Sequence, residues 1–225
     1  MTSNGRCHSV LNTTRTGNVQ INGSHDYRSK RSDGRLYDLP EPERRKLDDQ
    51  ATYAAVGNET SVPYGWVDFC RRYAGECPTT GTQAMDINLT PKAMKAIERI
   101  NKWVNSNIEA VSDKDHWNVV DQWDYPTDGK GDCEDFVLLK RKLLAEEGFP
   151  IQALLVTVVK DQQNEGHAVL TLKTNRGEYV LDNMKDGVKP WNQTGYRFVK
   201  RQSQTDANTW VQIGEPTAAP MYVSR

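Results

Sequence analysis

Cys133, His167 and Asp182 are the residues of this 225-residue chain whose types and spacing best make a nucleophile. The thiolate attacks a carbonyl carbon, and a cysteine with an ordinary pKa near 8.5 must be pushed downward to supply it. Cys133 follows a Gly131-Asp132 turn and opens an apolar-periodic segment. That makes it the first residue of a helix, where unpaired backbone N–H groups and the helix dipole favour negative charge. His167 begins a strand pattern after a polar turn at 161–166, and Asp182 ends the strand that returns from Gly177. If the hairpin loop is Asn175-Arg176, Thr174 faces Gly177 and His167 faces Met184. Asp182 then lies diagonally from His167 on the same face, within reach of a hydrogen bond. A slip of one residue would send Asp182 to the other face. In the paired register His167 takes the thiol proton and returns it to the leaving amine, while Asp182 fixes its tautomer. The bland alternative for Cys133 is a packing cysteine. The partners at workable positions argue against it, and the other histidines, His8, His25 and His116, fall in a polar tail or loop.

One feature opposes a thiolate. Asp132, Glu134 and Asp135 flank Cys133, and Asp113, Asp115, Asp121, Asp124 and Asp128 precede it. Like charges nearby raise a thiol's pKa. Two readings answer this. A hard cation such as calcium, held by carboxylates and loop carbonyls, would cancel the repulsion and pin the loop beside the nucleophile. Alternatively, Asp132 caps the helix and Glu134 and Asp135 favour its first turn. The twelve-residue EF-hand pattern is absent, so a cation site here would be irregular. For an oxyanion hole, the Cys133 N–H can give one donor and the indole N–H of Trp123 is a candidate second. A tryptophan in a Trp-Asp-Tyr-Pro loop could equally serve the core.

The elements that must position these residues are legible. Thr90-Pro91 reads as an N-cap followed by proline at the first helical position. Met94, Ile97, Ile100, Trp103, Val104 and Ile108 then recur at helical spacing, predicting a helix over 91–108 with this stripe in the core. Residues 111–131 form a long irregular connection carrying Trp117, Trp123 and the aspartates, a length often found in functional loops. A second helix over 132–147 has Phe136, Val137, Leu139, Leu143 and Leu144 as its apolar face, and Gly148 and Pro150 end it. The near-continuous apolar run 153–159 predicts a strand covered on both faces. Residues 167–174, 178–182, 196–201 and 210–213 complete a sheet. A helical half followed by antiparallel strands is an α+β pattern.

Composition bounds the rest. With 29 basic and 30 acidic residues the formal charge is −1, which argues against nucleic acid or an anionic membrane as the main partner. No stretch approaches the roughly 18 apolar residues of a membrane span. Residues 1–53, rich in Ser, Asn, Thr, Gly and Arg, read as a disordered leader or linker ahead of a single domain over 54–225. Residues 1–20 hold no apolar stretch of the kind an export signal carries. Cys7 lies in this tail. Cys70 and Cys77 could close a short disulfide, which favours an oxidising compartment, or remain two reduced thiols. A zinc site lacks a second Cys or His pair of suitable spacing.

The run Trp123-Asp-Tyr-Pro-Thr-Asp-Gly-Lys-Gly-Asp-Cys-Glu-Asp-Phe136, with Gly166-His-Ala-Val-Leu170 and Val180-Leu-Asp-Asn183, resembles the bacterial transglutaminase-like cysteine peptidases of the LapG type. The likeness runs from about Ser61 to Ile213. It implies a papain-like, transglutaminase-core fold, with a Cys-bearing helix packed on an antiparallel sheet and a triad on Cys133, His167 and Asp182. It also implies calcium, with Asp132 and Glu134 as ligands and Asp113 as a third. By the same likeness the location is periplasmic, the substrate a large surface adhesin clipped near its N-terminus, and the regulator an inner-membrane cyclic-di-GMP receptor. Acyl transfer to an amine would share the acyl-enzyme, and a binding module without turnover would share the scaffold. A coenzyme A acyltransferase lacks its phosphate-cradling glycine loop here.

Overall fold

The computed structural model of the protein describes residues 53–77, 81 and 83–214. The leader expected over 1–53 lies outside the described residues apart from Tyr53, as does Cys7. The chain runs through β1 (Val56–Thr60), α1 (Tyr64–Arg72), α2 (Pro91–Asn107), β2 (Glu109–Ala110), α3 (Asp113–His116), β3 (Lys130–Gly131) and α4 (Cys133–Glu146). It then lays down β4 (Leu154–Lys160), β5 (Gly166–Thr174), β6 (Gly177–Leu181), β7 (Lys189–Pro190), β8 (Arg197–Gln202) and β9 (Trp210–Ile213). Seven strands form one antiparallel sheet in the order β1-β9-β8-β4-β5-β6-β7, and β2 and β3 form a separate parallel pair. The helices-then-sheet expectation holds.

Local chemistry explains the helices. The Thr90 side chain accepts the Ala93 N–H at 3.1 Å, and Pro91 fills the first helical position of α2. Ile97, Ile100 and Val104 point into the core with Asn101. Trp103 does not. It lies about 100° round the helix from Val104 and is half exposed, so the expected core stripe is narrower than its spacing suggested. Helix α4 lies between α2 and the strands β4 and β5, with Phe136, Val137, Leu138 and Leu144 buried. Gly148, at φ +91°, ends the helical region with a backbone conformation that suits glycine.

Strand β4 is buried on both faces, as its unbroken apolar run requires. Its Thr157 satisfies its hydroxyl against Thr171 of β5 at 2.7 Å. Strand β1 has no hydrophobic alternation and is largely exposed; it exists by pairing with β9, far along the chain. The cysteine alternative is settled by a Cys70–Cys77 disulfide, which ties the end of α1 to the loop that follows.

Candidate active site

The connection between α2 and α4 is more ordered than an irregular loop. The pairing Glu109↔Lys130 and Ala110↔Gly131 brings its two ends side by side, so residues 111–129 leave and return at the N-terminus of α4. Gly131 allows this closure: a Cβ there would lie 2.6 Å from Asp135 Oδ2. Its carboxylates sort into separate tasks. Ser112 and Asp115 exchange hydrogen bonds at the start of α3. Asp124 pairs with Arg72 at 2.7 Å, and His116 Nε2 meets Asp128 at 2.8 Å. Arg72 also donates to the Trp123 carbonyl at 2.5 Å, fastening the loop to α1.

Cys133 is the first residue of α4 and is buried. Its sulfur receives the backbone N–H of Ala168 at 3.4 Å and lies 3.1 Å from Glu134 Oε2. The thiol therefore meets β5 one residue from His167. The hairpin register is the expected one, with Thr174↔Gly177 and Leu170↔Leu181 paired. His167 Nε2 lies 3.0 Å from Asp182 Oδ1. A carboxylate can only accept, so Nε2 carries the proton in this bond; in the neutral ring the lone pair is then on Nδ1. Nδ1 is buried and has no hydrogen-bond partner among the described residues.

Asp182 is held on several sides. The Met184 N–H donates to Oδ1 at 3.0 Å, and the Tyr196 hydroxyl donates to Oδ2 at 2.5 Å. Asn105 Nδ2 donates to the Asp182 carbonyl at 2.9 Å, and Asn101, one turn earlier on α2, donates to the Asp186 carbonyl at 2.9 Å. Burial alone would raise the Asp182 pKa. The hydrogen bond and charge of His167, then Tyr196 and Met184, outweigh it and hold the group at about 2.

Beside the thiol stands a second group of carboxylates. Asp113, Asp121 and Glu134 each offer an oxygen within 4.8 Å of the others, and so do Asp113, Asp132 and Asp135. Burial pushes Asp113 up to about 6, against the Gln122 N–H that it accepts and with Asp121 adding repulsion. Burial and then the Asp132 charge push Glu134 and Asp135 well above the usual carboxylate range. Asp113, Glu134 and Asp135 form no ion pair with Lys or Arg among the described residues. Glu134 Oε1 is buried without a hydrogen-bond partner among the described residues. Asp132 is the N-cap residue, yet its side chain makes no capping bond and reaches the Asp113 N–H at 3.4 Å instead. The simple capping reading of Asp132 therefore does not hold. An all-oxygen, anionic donor set of this kind fits a hard divalent cation.

The three residues expected as ligands, Asp113, Asp132 and Glu134, meet in this cluster but fall into two overlapping groups rather than one. Asp121 and Asp135 join them. Asp135 had the signal of a helix-dipole residue, and nothing in its spacing distinguishes that from a residue turned back under Gly131. Trp123 departs from its expected role. It is fully buried, edge-on to Trp66 and Trp210 with centroids 6.3 Å away in each case, and its indole N–H donates to Asp121 Oδ1 at 3.1 Å. Gly65 makes the room, since a Cβ there would overlap the indole. In this arrangement that N–H faces a cluster carboxylate.

A cysteine at a helix start against a histidine-bearing antiparallel sheet is the arrangement of papain-like and transglutaminase-like enzymes. The profile of the bacterial transglutaminase-like cysteine proteinase (BTLCP) family matches residues 56–218, and the chain belongs to that family. It is a cysteine peptidase. Among solved structures it is similar to calcium-bound LapG of Legionella pneumophila, at 23% identity over 59% of this chain and 77% of that one, with a TM-score of 0.45. The EGTA-treated form of that LapG gives 22% identity over 57% and 74%, with a TM-score of 0.44. No curated protein matches the chain.

Proposed function

We propose that the chain is a calcium-dependent cysteine endopeptidase that cleaves a secreted or surface protein through Cys133, His167 and Asp182. The observation that carries this is the convergence of three elements. The start of α4 supplies the thiol, β5 supplies His167, and the residue that follows β6 supplies an ionised Asp182. His167 Nδ1 accepts the thiol proton, and the resulting imidazolium is stabilised by Asp182 through Nε2–H. The thiolate attacks the scissile carbonyl carbon, with the Cys133 N–H at the helix start as an oxyanion donor. His167 gives its proton to the departing amine, leaving a thioester on Cys133. Water, deprotonated by His167, attacks the thioester; the acid product leaves and the thiol is regenerated.

Asp113, Asp121, Asp132, Glu134 and Asp135 would hold the calcium ion. When bound, the ion supplies positive charge that offsets the carboxylates beside the thiol and fixes the loop over α4. A large adhesin, a periplasmic location and sequestration by an inner-membrane cyclic-di-GMP receptor are what the LapG-type likeness supports. The Cys70–Cys77 disulfide is compatible with an oxidising compartment. Among the described residues no helix is long and apolar enough to cross a membrane. The test is incubation with candidate adhesin fragments, with and without a chelator, and mass analysis of the products. Expected are two fragments whose masses sum to substrate plus one water, formed only with calcium. Cleavage that persists under chelation contradicts the calcium assignment, and a product carrying an added amine contradicts hydrolysis.

A further inference from the structure

Asp182 offers two oxygens, and only one of them faces His167. Oδ1 takes His167 Nε2 and the Met184 N–H, while Oδ2 takes the Tyr196 hydroxyl at 2.5 Å. Tyr196 enters from a different element, the turn that leads into β8. Gly195, at φ +77°, redirects the chain there, and the Tyr196 N–H donates to Thr194 Oγ1 at 3.3 Å. The Tyr196 ring stands 5.5 Å from the His167 ring at a tilt of 59°, and Lys185 Nζ lies over the Tyr196 ring, 5.3 Å from its centroid. A phenol so placed does two things: it blocks rotation of the carboxylate, and it walls one side of the imidazole.

We propose that Tyr196 is a positioning residue of the peptidase: its hydroxyl locks Asp182 so that Oδ1 holds His167 in the Nε2–H tautomer, leaving Nδ1 to serve the Cys133 thiol. This rests on the triad reading above. An Asp182 carboxylate free to turn would leave His167 able to adopt the other tautomer, which has no base facing the thiol. Nothing in the sequence marks Tyr196, since it lies 14 residues beyond Asp182 and outside the triad motifs.

The test uses the full chain with two readouts. The first is the ¹⁵N spectrum of histidine-labelled protein at one fixed pH, which reports the tautomer of His167. Wild type is expected to show protonated Nε2, and Tyr196→Phe a mixture or a weakened Nε2–H signal; a purely structural role would leave the spectrum unchanged. The second is the rate of carboxamidomethylation of Cys133 by iodoacetamide at the same pH, assigned by peptide mapping. Tyr196→Phe is expected to slow it about tenfold, in keeping with loss of one bond to a charged acceptor. In an Asp182→Ala background the same change is expected to do nothing further, because Tyr196 acts only through Asp182. An unaltered spectrum and rate in a folded Tyr196→Phe protein, or an equal further loss in the Asp182→Ala background, overturns the proposal. If His167→Ala and Asp182→Ala label as fast as wild type, the triad reading itself has failed, and the Tyr196 proposal falls with it. If those variants slow and Tyr196→Phe does not, only the Tyr196 proposal has failed.

Discussion

The candidate site holds two kinds of buried carboxylate, and they are treated in opposite ways. Asp182 is answered by the protein's own donors: His167, Tyr196 and Met184 hold it ionised at a pKa of about 2. Asp113, Glu134 and Asp135 are buried with mutual repulsion and are pushed up, Asp113 to about 6 and the other two well above the usual range. A buried charge is tolerated only when something pays for its lost hydration. At Asp182 that something is part of the chain. In the acidic cluster no Lys or Arg is paired with Asp113, Glu134 or Asp135 among the described residues, and on the proposed reading the positive charge is a calcium ion.

The largest effect that could break this contrast is on catalysis. Cys133→Ala or His167→Ala is expected to reduce proteolysis by roughly a thousandfold or more with thermal stability close to that of wild type. Normal turnover of either folded variant would remove the first half of the comparison.

Cation removal addresses the second half. Chelation is expected to abolish cleavage and to lower the melting temperature by about 5–10 °C, the scale for a ligand present well above its Kd on a domain of this size. Glu134→Gln should show the reverse in metal-free protein, where it relieves repulsion, and should blunt the stabilisation by calcium. Differential scanning calorimetry with and without the ion separates the two.

The pH dependence has opposite signs in the two groups. A carboxyl whose folded pKa is raised, as Asp113's is to about 6, binds more protons folded than unfolded. Its stabilising contribution is therefore full below the unfolded value near 3.8 and is lost as pH rises through 6. Metal-free protein is expected to gain stability on acidification from pH 7 to 5, and calcium should flatten that trend. Asp182, with its depressed pKa, contributes stability above the unfolded value and loses it only as pH falls towards 2. Melting curves across about pH 2–8 in chelator and in calcium check both signs.

The smallest effect concerns Trp123. Trp123→Phe keeps an aromatic side chain between Trp66 and Trp210 but removes the N–H held by Asp121. Calcium affinity is expected to weaken by about tenfold, while turnover at saturating calcium stays near wild type. Turnover that falls about a hundredfold even at saturating calcium would restore Trp123 to the oxyanion hole.

The convergence of Cys133, His167 and Asp182 was legible in the sequence because its determinants are local. A helix start gives Cys133 its place, and a tight hairpin at Asn175-Arg176 fixes the register that carries Asp182 to His167. Residues that depend on distant packing were not. Tyr196 reaches Asp182 from the turn before β8, and Trp123 spends its N–H two residues away because Gly65 opens a slot for its ring. Strand β1 has no periodicity to read, as its order comes from β9. In the acidic cluster the sequence displayed the carboxylates but not their sorting. Asp124 and Asp128 face inconspicuous partners, Arg72 and His116, and only the folded loop distinguishes them from Asp113 and Asp121.

The most direct test of the account is iodoacetamide labelling of calcium-loaded protein at pH 6, with the modified residue assigned by peptide mapping. The account predicts selective, rapid modification of Cys133 in wild type and at least about tenfold slower modification in His167→Ala, since a free thiol near pKa 8.5 is almost wholly protonated there. Equal rates in the two proteins would contradict it, because Cys133 would then owe nothing to the histidine that β5 places beside it.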